Sequence, residues 1–142
     1  MIRTYKLTQL ANNEKEIKII SVIKEYRLTA INISHIQWNN FFKNNKFNKN
    51  LDIKSVESEL SERYKQTCQY QVVGILKSYL SNIANKFVEI VSKADFEPET
   101  KIRLFFINKY HLWFSNNIKL KGEIISPDLI KTARKIIKHL FK

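Results

Sequence analysis

The stretch CQYQVVGILKSYLSNIANKF, residues 68–87, decides the fold because it has two contrasting sides at helical spacing. One side is apolar, continues to Ile90 and predicts a helix facing a core: Val72, Leu76, Tyr79, Ile83, Phe87. The other side is small and nearly neutral, although solvated faces in a lysine-rich chain are normally charged; it holds Gln71, Gly74, Ser78, Ser81 and Asn85.

Two interpretations of this small side remain open at the level of sequence. Gly74 and Ser78 let another backbone come close, which suits tight packing against the first helix. The same lack of bulk would admit a nucleic acid, and Gln71 can form paired hydrogen bonds with an adenine edge in a major groove.

The balance of charge indicates an anionic partner. The 142 residues fit one domain and hold 25 Lys+Arg against 13 Asp+Glu, a formal net charge of +12. Nucleic acid is the commonest partner of so basic a chain. A membrane surface, an acidic protein, or no specific anionic partner at all are the alternatives.

The sequence offers little for metal or redox chemistry. Its one cysteine, Cys68, excludes an intramolecular disulfide and a cysteine-type zinc site, and its three histidines lie far apart. We therefore expect no cofactor. The polar start and the short apolar runs predict neither a signal peptide nor a membrane span, so a prokaryotic cytoplasm is the expected location.

Only two glycines and two prolines occur, which is typical of a few long helices. The predicted fold is mainly α: a bundle of about five helices with one short N-terminal β-strand, IRTYKLT at residues 2–8. Helices are expected from about 13 to 43, after Asp52, from 68, over 99–114 and from Ser126. The chain divides into a strand (1–10), a bundle (11–114), and a loop with a basic amphipathic helix (115–142).

The first helix is predicted to bury a row that begins with Ile17 and Ile20. Its continuation has 3-4-3-4 spacing and consists of Leu28, Ile31, His35, Trp38 and Phe42. Within this row His35 is expected to be a partly buried core residue rather than a ligand or a base.

Both ends of the chain fit a piece of a longer protein. The strand has no clear partner strand, and the last helix reaches the final residue without a cap. The alternative is a small helical bundle whose last helix frays.

No constellation of residues predicts a self-contained active site. Two glycines cannot form a phosphate loop, and the acids lie at helix starts or among lysines. Basic and aromatic residues instead alternate, as in Lys43, Lys46, Phe47 and Lys49. Lysines neutralise phosphates and aromatic rings stack on unpaired bases, so this pattern favours binding over catalysis.

Several segments together resemble one family. YQVVGILKSYLSNIANKF resembles the recognition-lobe helix of TnpB-type RNA-guided nucleases and compact type V CRISPR effectors, with Gln71-Val72-Val73 in place of a Gln-Val-Leu triplet and Phe87 as the closing aromatic. IRTYKLT resembles the first wedge strand, HIQWNNFF the end of the first recognition helix, and DLIKTARKIIKHLFK the helix that returns to the wedge barrel. Gly74 stands where many members have a second glutamine, and the family's catalytic RuvC carboxylates and zinc-binding cysteines are missing.

The resemblance implies a non-catalytic part of a longer effector that grips a guide RNA–target DNA heteroduplex and a flanking DNA motif. Gln71, Gly74 and Ser78 would face the duplex near that motif, together with Tyr70 and Asn39. The residues expected to meet phosphates are Lys43, Lys46, Lys49, Lys77 and Lys86. The alternatives are a stand-alone helical protein that binds an acidic partner and a membrane-surface protein led by the last helix.

Overall fold

The computed structural model describes residues 13–141, which form a mainly α-helical bundle, as predicted. The elements are α1 (Asn13–Asn44), a 3-10 turn (Ile53–Ser55), α2 (Glu62–Lys93), α3 (Pro98–Lys109), β1 (Lys119–Leu120), β2 (Glu123–Ile124) and α4 (Pro127–Leu140). The predicted N-terminal strand lies outside the described residues. No helix within them is long and apolar enough to cross a membrane.

The two helices predicted on either side of residue 67 are one helix, so the described part has four helices rather than five. Asp52 does act as a cap, but its side chain accepts from the Lys54 N–H and starts only the 3-10 turn. α2 begins later because Ser61 is its N-cap and accepts from the Tyr64 N–H.

α1 and α2 pack side by side, with the middle of α1 beside the early turns of α2 and the end of α1 beside the middle of α2. The Cys68 thiol contacts the Tyr26 carbonyl oxygen at 3.8 Å, and further along the Trp38 and Tyr79 rings meet at 6.1 Å. The two helices therefore run in the same direction. Residues 45–61 must return along them, and Ser58 accordingly lies 2.6 Å from the Thr29 hydroxyl of α1.

The buried row of α1 differs from the predicted one. The predicted residues Ile17, Ile20, Leu28, Ile31 and Phe42 are exposed. His35 is exposed too, so the prediction that it lies partly buried in the core was wrong. The buried residues repeat every four positions: Thr29, Ile33, Gln37 and Phe41. Two of them are polar, which hid the row from a search for apolar residues. They are tolerated in the core because each forms hydrogen bonds there.

The apolar side of α2 forms the centre of the core, largely as predicted. Val72, Leu76, Ile83 and Phe87 are buried, whereas Tyr79 and Ile90 are exposed. α3 runs back along α2, since the Asn108 amide donates to the Ala84 carbonyl oxygen at 3.1 Å.

α3 ends at Lys109, earlier than the predicted end at residue 114. Its N-cap position is Glu97, followed directly by Pro98. At its C-terminus His111 adopts a left-handed conformation (φ 54°), and the Leu112 N–H bonds back to the Ile107 carbonyl oxygen at 2.9 Å. This hydrogen bond between residues five apart is typical of a helix C-terminus and ends α3 at Lys109.

α4 packs against the chain that follows α3. The Arg134 side chain donates to the Trp113 carbonyl oxygen at 3.1 Å and to the Asn116 side chain at 3.2 Å. The predicted loop between α3 and α4 contains a hairpin, whose turn is formed by Lys121 and Gly122, both with positive φ. That pair of conformations is the one a two-residue hairpin turn requires.

The segment 45–50 is fixed by two buried glutamines. The Gln37 amide donates to the Asn48 carbonyl oxygen at 2.7 Å and accepts from the Asn48 N–H at 2.8 Å. The Gln69 amide donates to the Lys49 carbonyl oxygen at 2.7 Å. Both glutamine side chains are almost inaccessible, with exposed fractions of 0% for Gln37 and 2% for Gln69.

Replacing Gln37 with leucine is expected to lower the free energy of unfolding by about 2–4 kcal/mol, because both backbone groups of Asn48 lose their partner. Urea denaturation measures the change. The matched control is Gln66→Leu on α2, whose exposed amide donates only to the Tyr70 hydroxyl and should cost less than about 0.5 kcal/mol. Equal stability of the two variants would contradict a fixing role for Gln37.

Candidate functional site

A groove of about 660 Å³ lies between the end of α1, the segment 45–50 and the middle of α2. We call it the asparagine–lysine groove after its lining: Asn40, Asn44, Asn45, Asn48, Asn50, Lys46, Lys49 and Lys77. Ser81 and His111 complete its polar lining. Among the described residues no carboxylate lines it, so its charge is uniformly positive.

Lys49 and Lys77 are neighbouring cations in the groove. The pKa of Lys77 is lowered, first by the close approach of the Lys49 side chain, then by burial and by the Lys49 charge. Two ammonium groups so near each other repel, and an anion placed between them would remove that repulsion. The pair therefore favours a phosphate or carboxylate ligand.

The groove continues into a smaller hollow of about 330 Å³ that shares Lys49, Asn50 and Lys77 with it. Tyr70 and Gly74 line the far side of this hollow. The Tyr70 side chain is 60% exposed, so its ring is open to a stacking partner beside the two lysines.

The backbone of the groove is held in place before any ligand arrives. Asn48 and Lys49 are fixed by Gln37 and Gln69, as described above, and the Asn48 side chain accepts from the Asn50 N–H at 3.0 Å. Asn45 has a left-handed conformation (φ 61°) at the end of α1, which turns the chain into the segment. A fixed backbone lowers the ordering cost of binding.

His111 forms the end of the groove that adjoins α3. Its ring lies 5.0 Å from the Trp113 ring and 6.3 Å from the Phe41 ring, measured between centroids. Burial lowers the pKa of His111, so the ring stays neutral at physiological pH and can accept or donate one hydrogen bond.

The structure brings together half of the predicted site residues. Lys46, Lys49 and Lys77 line the groove, while Tyr70 and Gly74 line the hollow. The other five are exposed but line neither cavity: Asn39, Lys43, Gln71, Ser78 and Lys86.

The small side of α2 faces solvent rather than another helix. A Cβ atom added at Gly74 would meet no atom within 4 Å, which excludes the tight packing against α1 that the sequence left open. Gln71 is the one member tied to α1, because its side-chain oxygen accepts from the Tyr26 hydroxyl. Its amide nitrogen forms no hydrogen bond within the described residues.

Three residues important for the groove were not predicted: Gln37, Gln69 and His111. Gln37 and Gln69 could have been found by asking which polar residues occupy buried helical rows, since such residues need partners. His111 carried no such signal, because its role depends on where α3 ends.

A second basic surface lies on α4. Lys131, Lys135, Lys138 and His139 border a shallow depression together with Arg134. Because Arg134 is already bound to the chain after α3, this surface is partly structural.

Neither a metal site nor a reactive thiol is visible in residues 13–141. No group of three or more His, Cys, Asp or Glu side chains there could hold a metal ion. Cys68 is buried, and burial raises the pKa of its thiol, which keeps it protonated and unreactive.

The protein should lose stability as the pH falls below about 6.5, the ordinary pKa of histidine, because unfolded His111 binds a proton that the folded state disfavours. The loss continues until the pH passes the lowered pKa of the folded state. His111→Asn introduces a residue that tolerates the left-handed conformation and does not titrate in this range. The variant should therefore lose less stability than the wild type as the pH falls. Urea denaturation between pH 5 and 8 measures the free energy of unfolding of both proteins. An equal loss of stability in the two would contradict the assignment of this pH dependence to His111.

Comparisons with protein-family models, curated protein sequences and solved structures find no match to this chain. The resemblance to TnpB-type nucleases therefore stays a prediction from the residues. The groove itself combines positive charge, a fixed backbone and an exposed aromatic ring beside it.

Proposed function

We propose that this chain binds nucleic acid through the phosphate backbone, with the asparagine–lysine groove as its principal contact. The observation that carries the proposal is the Lys49–Lys77 pair, which lies in a groove without a carboxylate in its described lining. Ammonium groups neutralise phosphates and release counterions, which gives affinity without reading sequence.

The composition of the groove supports a nucleic-acid ligand over a simple anion. Five asparagine side chains supply both donors and acceptors, which suit sugar and base edges as well as phosphate oxygens. Tyr70 adds a ring for stacking at the edge of the lysine pair. The formal net charge of +12 would attract such a polyanion over a distance.

In its specific form, the proposal is that the chain is the recognition-lobe part of an RNA-guided effector and binds a guide RNA–target DNA heteroduplex without cutting it. Two features support this form: the exposed small side of α2, and the open space at Gly74, where a nucleic-acid backbone could approach. The remainder of such an effector would supply the partner strands of the wedge and the nuclease site.

The double variant Lys49→Ala/Lys77→Ala should weaken binding to a labelled RNA–DNA heteroduplex and reduce the slope of log affinity against log salt by about two, roughly one per lost phosphate contact. Mobility shifts across a salt series measure both quantities, with duplex DNA in parallel. Lys119→Ala, an exposed lysine on β1 outside the groove, is the control. An unchanged slope in the double variant would remove the groove from the interface.

Gln71→Ala should change which flanking sequences are bound, while the lysine variants should weaken all sequences evenly. Selection from a randomised duplex pool measures this preference. Tyr26→Phe is the control, since it removes the hydrogen bond to Gln71 but leaves the Gln71 amide in place. If Gln71→Ala leaves the enriched sequences unaltered, Gln71 only supports the contact between α1 and α2.

A stand-alone interaction protein is the second candidate function. It is favoured by one observation, a set of exposed isoleucine and valine side chains near the start of α1.

A further inference from the structure

The first turns of α1 carry an exposed apolar surface. We call it the N-terminal apolar face, and it consists of Ile17, Ile19, Ile20, Val22 and Ile23. Ile17 is the most open of these, with 68% of its surface exposed. These five aliphatic side chains wrap around more than half of the helix, and Ile20 and Ile23 are neighbours on it. Exposed apolar surface of this kind marks an interaction site on soluble proteins.

The N-terminal apolar face continues into an apolar groove beside the start of α2. The groove has a volume of about 450 Å³, and Val22, Ile23 and Tyr26 line it on the α1 side, Leu60 and Tyr64 on the other. A partner helix lying on the face could therefore contact both α1 and α2, which enlarges the area that it would cover.

The charges beside this face are self-complementary. Glu16, Ile20, Ile23 and Arg27 are separated by four, three and four residues, so they follow one side of the helix. Read from either end, the row is a charged residue, two isoleucines and a charged residue of opposite sign. Arg27 also lines the apolar groove, so the row and the groove adjoin each other.

We propose that a second copy of this chain docks on the N-terminal apolar face, with the two α1 helices antiparallel. A two-fold axis between Ser21 and Val22 places Glu16 of each copy opposite Arg27 of the other. The same axis places Ile20 of each copy opposite Ile23 of the other. Such an interface is isologous, as most homodimer interfaces are.

The charges select the antiparallel direction and argue for a second copy as the occupant. A parallel, in-register pair would set Glu16 against Glu16 and Arg27 against Arg27, and like charges repel. Neither residue forms an ion pair within residues 13–141, so both are available to the partner. An anionic membrane would meet Glu14 and Glu16 as well as the lysines, which makes it a poorer fit.

Light scattering after size-exclusion chromatography of the full chain, over a dilution series, tests the proposal. The expected result is a concentration-dependent dimer at near-physiological salt. Arg27→Glu should raise the dimer dissociation constant by about tenfold or more, because it places two pairs of like charges in the interface. The double variant Glu16→Arg/Arg27→Glu exchanges the two charges and should restore the wild-type dimer dissociation constant, because opposite charges again face each other.

Lys119→Glu is the control, since it makes the same charge change on the exposed strand β1. It should leave the dimer constant unchanged. Ile20→Asp should abolish the dimer without unfolding the protein, because Ile20 is exposed within the described chain. Circular dichroism checks that each variant keeps its helices.

A monomer at every concentration would overturn the proposal, and so would failure of the exchanged-charge variant to recover the dimer. A monomer that binds anionic vesicles through Ile20 would assign the face to a membrane instead.

Discussion

Two buried glutamine side chains hold the one segment on which the site depends. Gln37 comes from α1 and Gln69 from α2, and between them they satisfy backbone groups of Asn48 and Lys49. Because α1 and α2 run in the same direction, the chain between them has to return over their length. Phe47, Val56 and Leu60 anchor that return in the core, and the Phe47 ring packs 5.3 Å from the Phe41 ring. The glutamine hydrogen bonds add to this packing by fixing the backbone of the polar residues next to Phe47.

The same constraint explains how charges of one sign can be collected in a groove. Lys49 on the fixed segment lies beside Lys77 on α2, and the approach of the Lys49 side chain lowers the pKa of Lys77. Both side chains are exposed, so solvent screens most of their repulsion, and an anion bound between them would relieve the remainder. His111 at the other end of the groove has a left-handed backbone, and burial lowers its pKa, so the surroundings disfavour only its protonated form.

How far the sequence predicted the structure can be seen in α1 and α2. The apolar row of α2 was found because leucine, valine and phenylalanine occupy it, and most of them are buried. The row of α1 was missed because threonine and glutamine stand in it, and their burial depends on partners from the loop that periodicity cannot show. In the site, Lys46 and Lys49 were predicted from basic residues that alternate with an aromatic, and Lys77 from the resemblance to a recognition-lobe helix. Their assembly into one groove depends on the path of residues 45–50, which no local pattern encodes.

The groove and the N-terminal apolar face are separate surfaces that suit different partners. The groove is suited to a phosphate backbone, and the face to a second helix, so a dimer would present two grooves to one nucleic acid. Binding at the groove can be followed through the backbone amide resonances of the protein during NMR titration with a short RNA–DNA heteroduplex. We expect shifts concentrated at residues 46–50 and at Lys77. Shifts confined to α4, or none at low salt, would rule out the groove as the nucleic-acid contact.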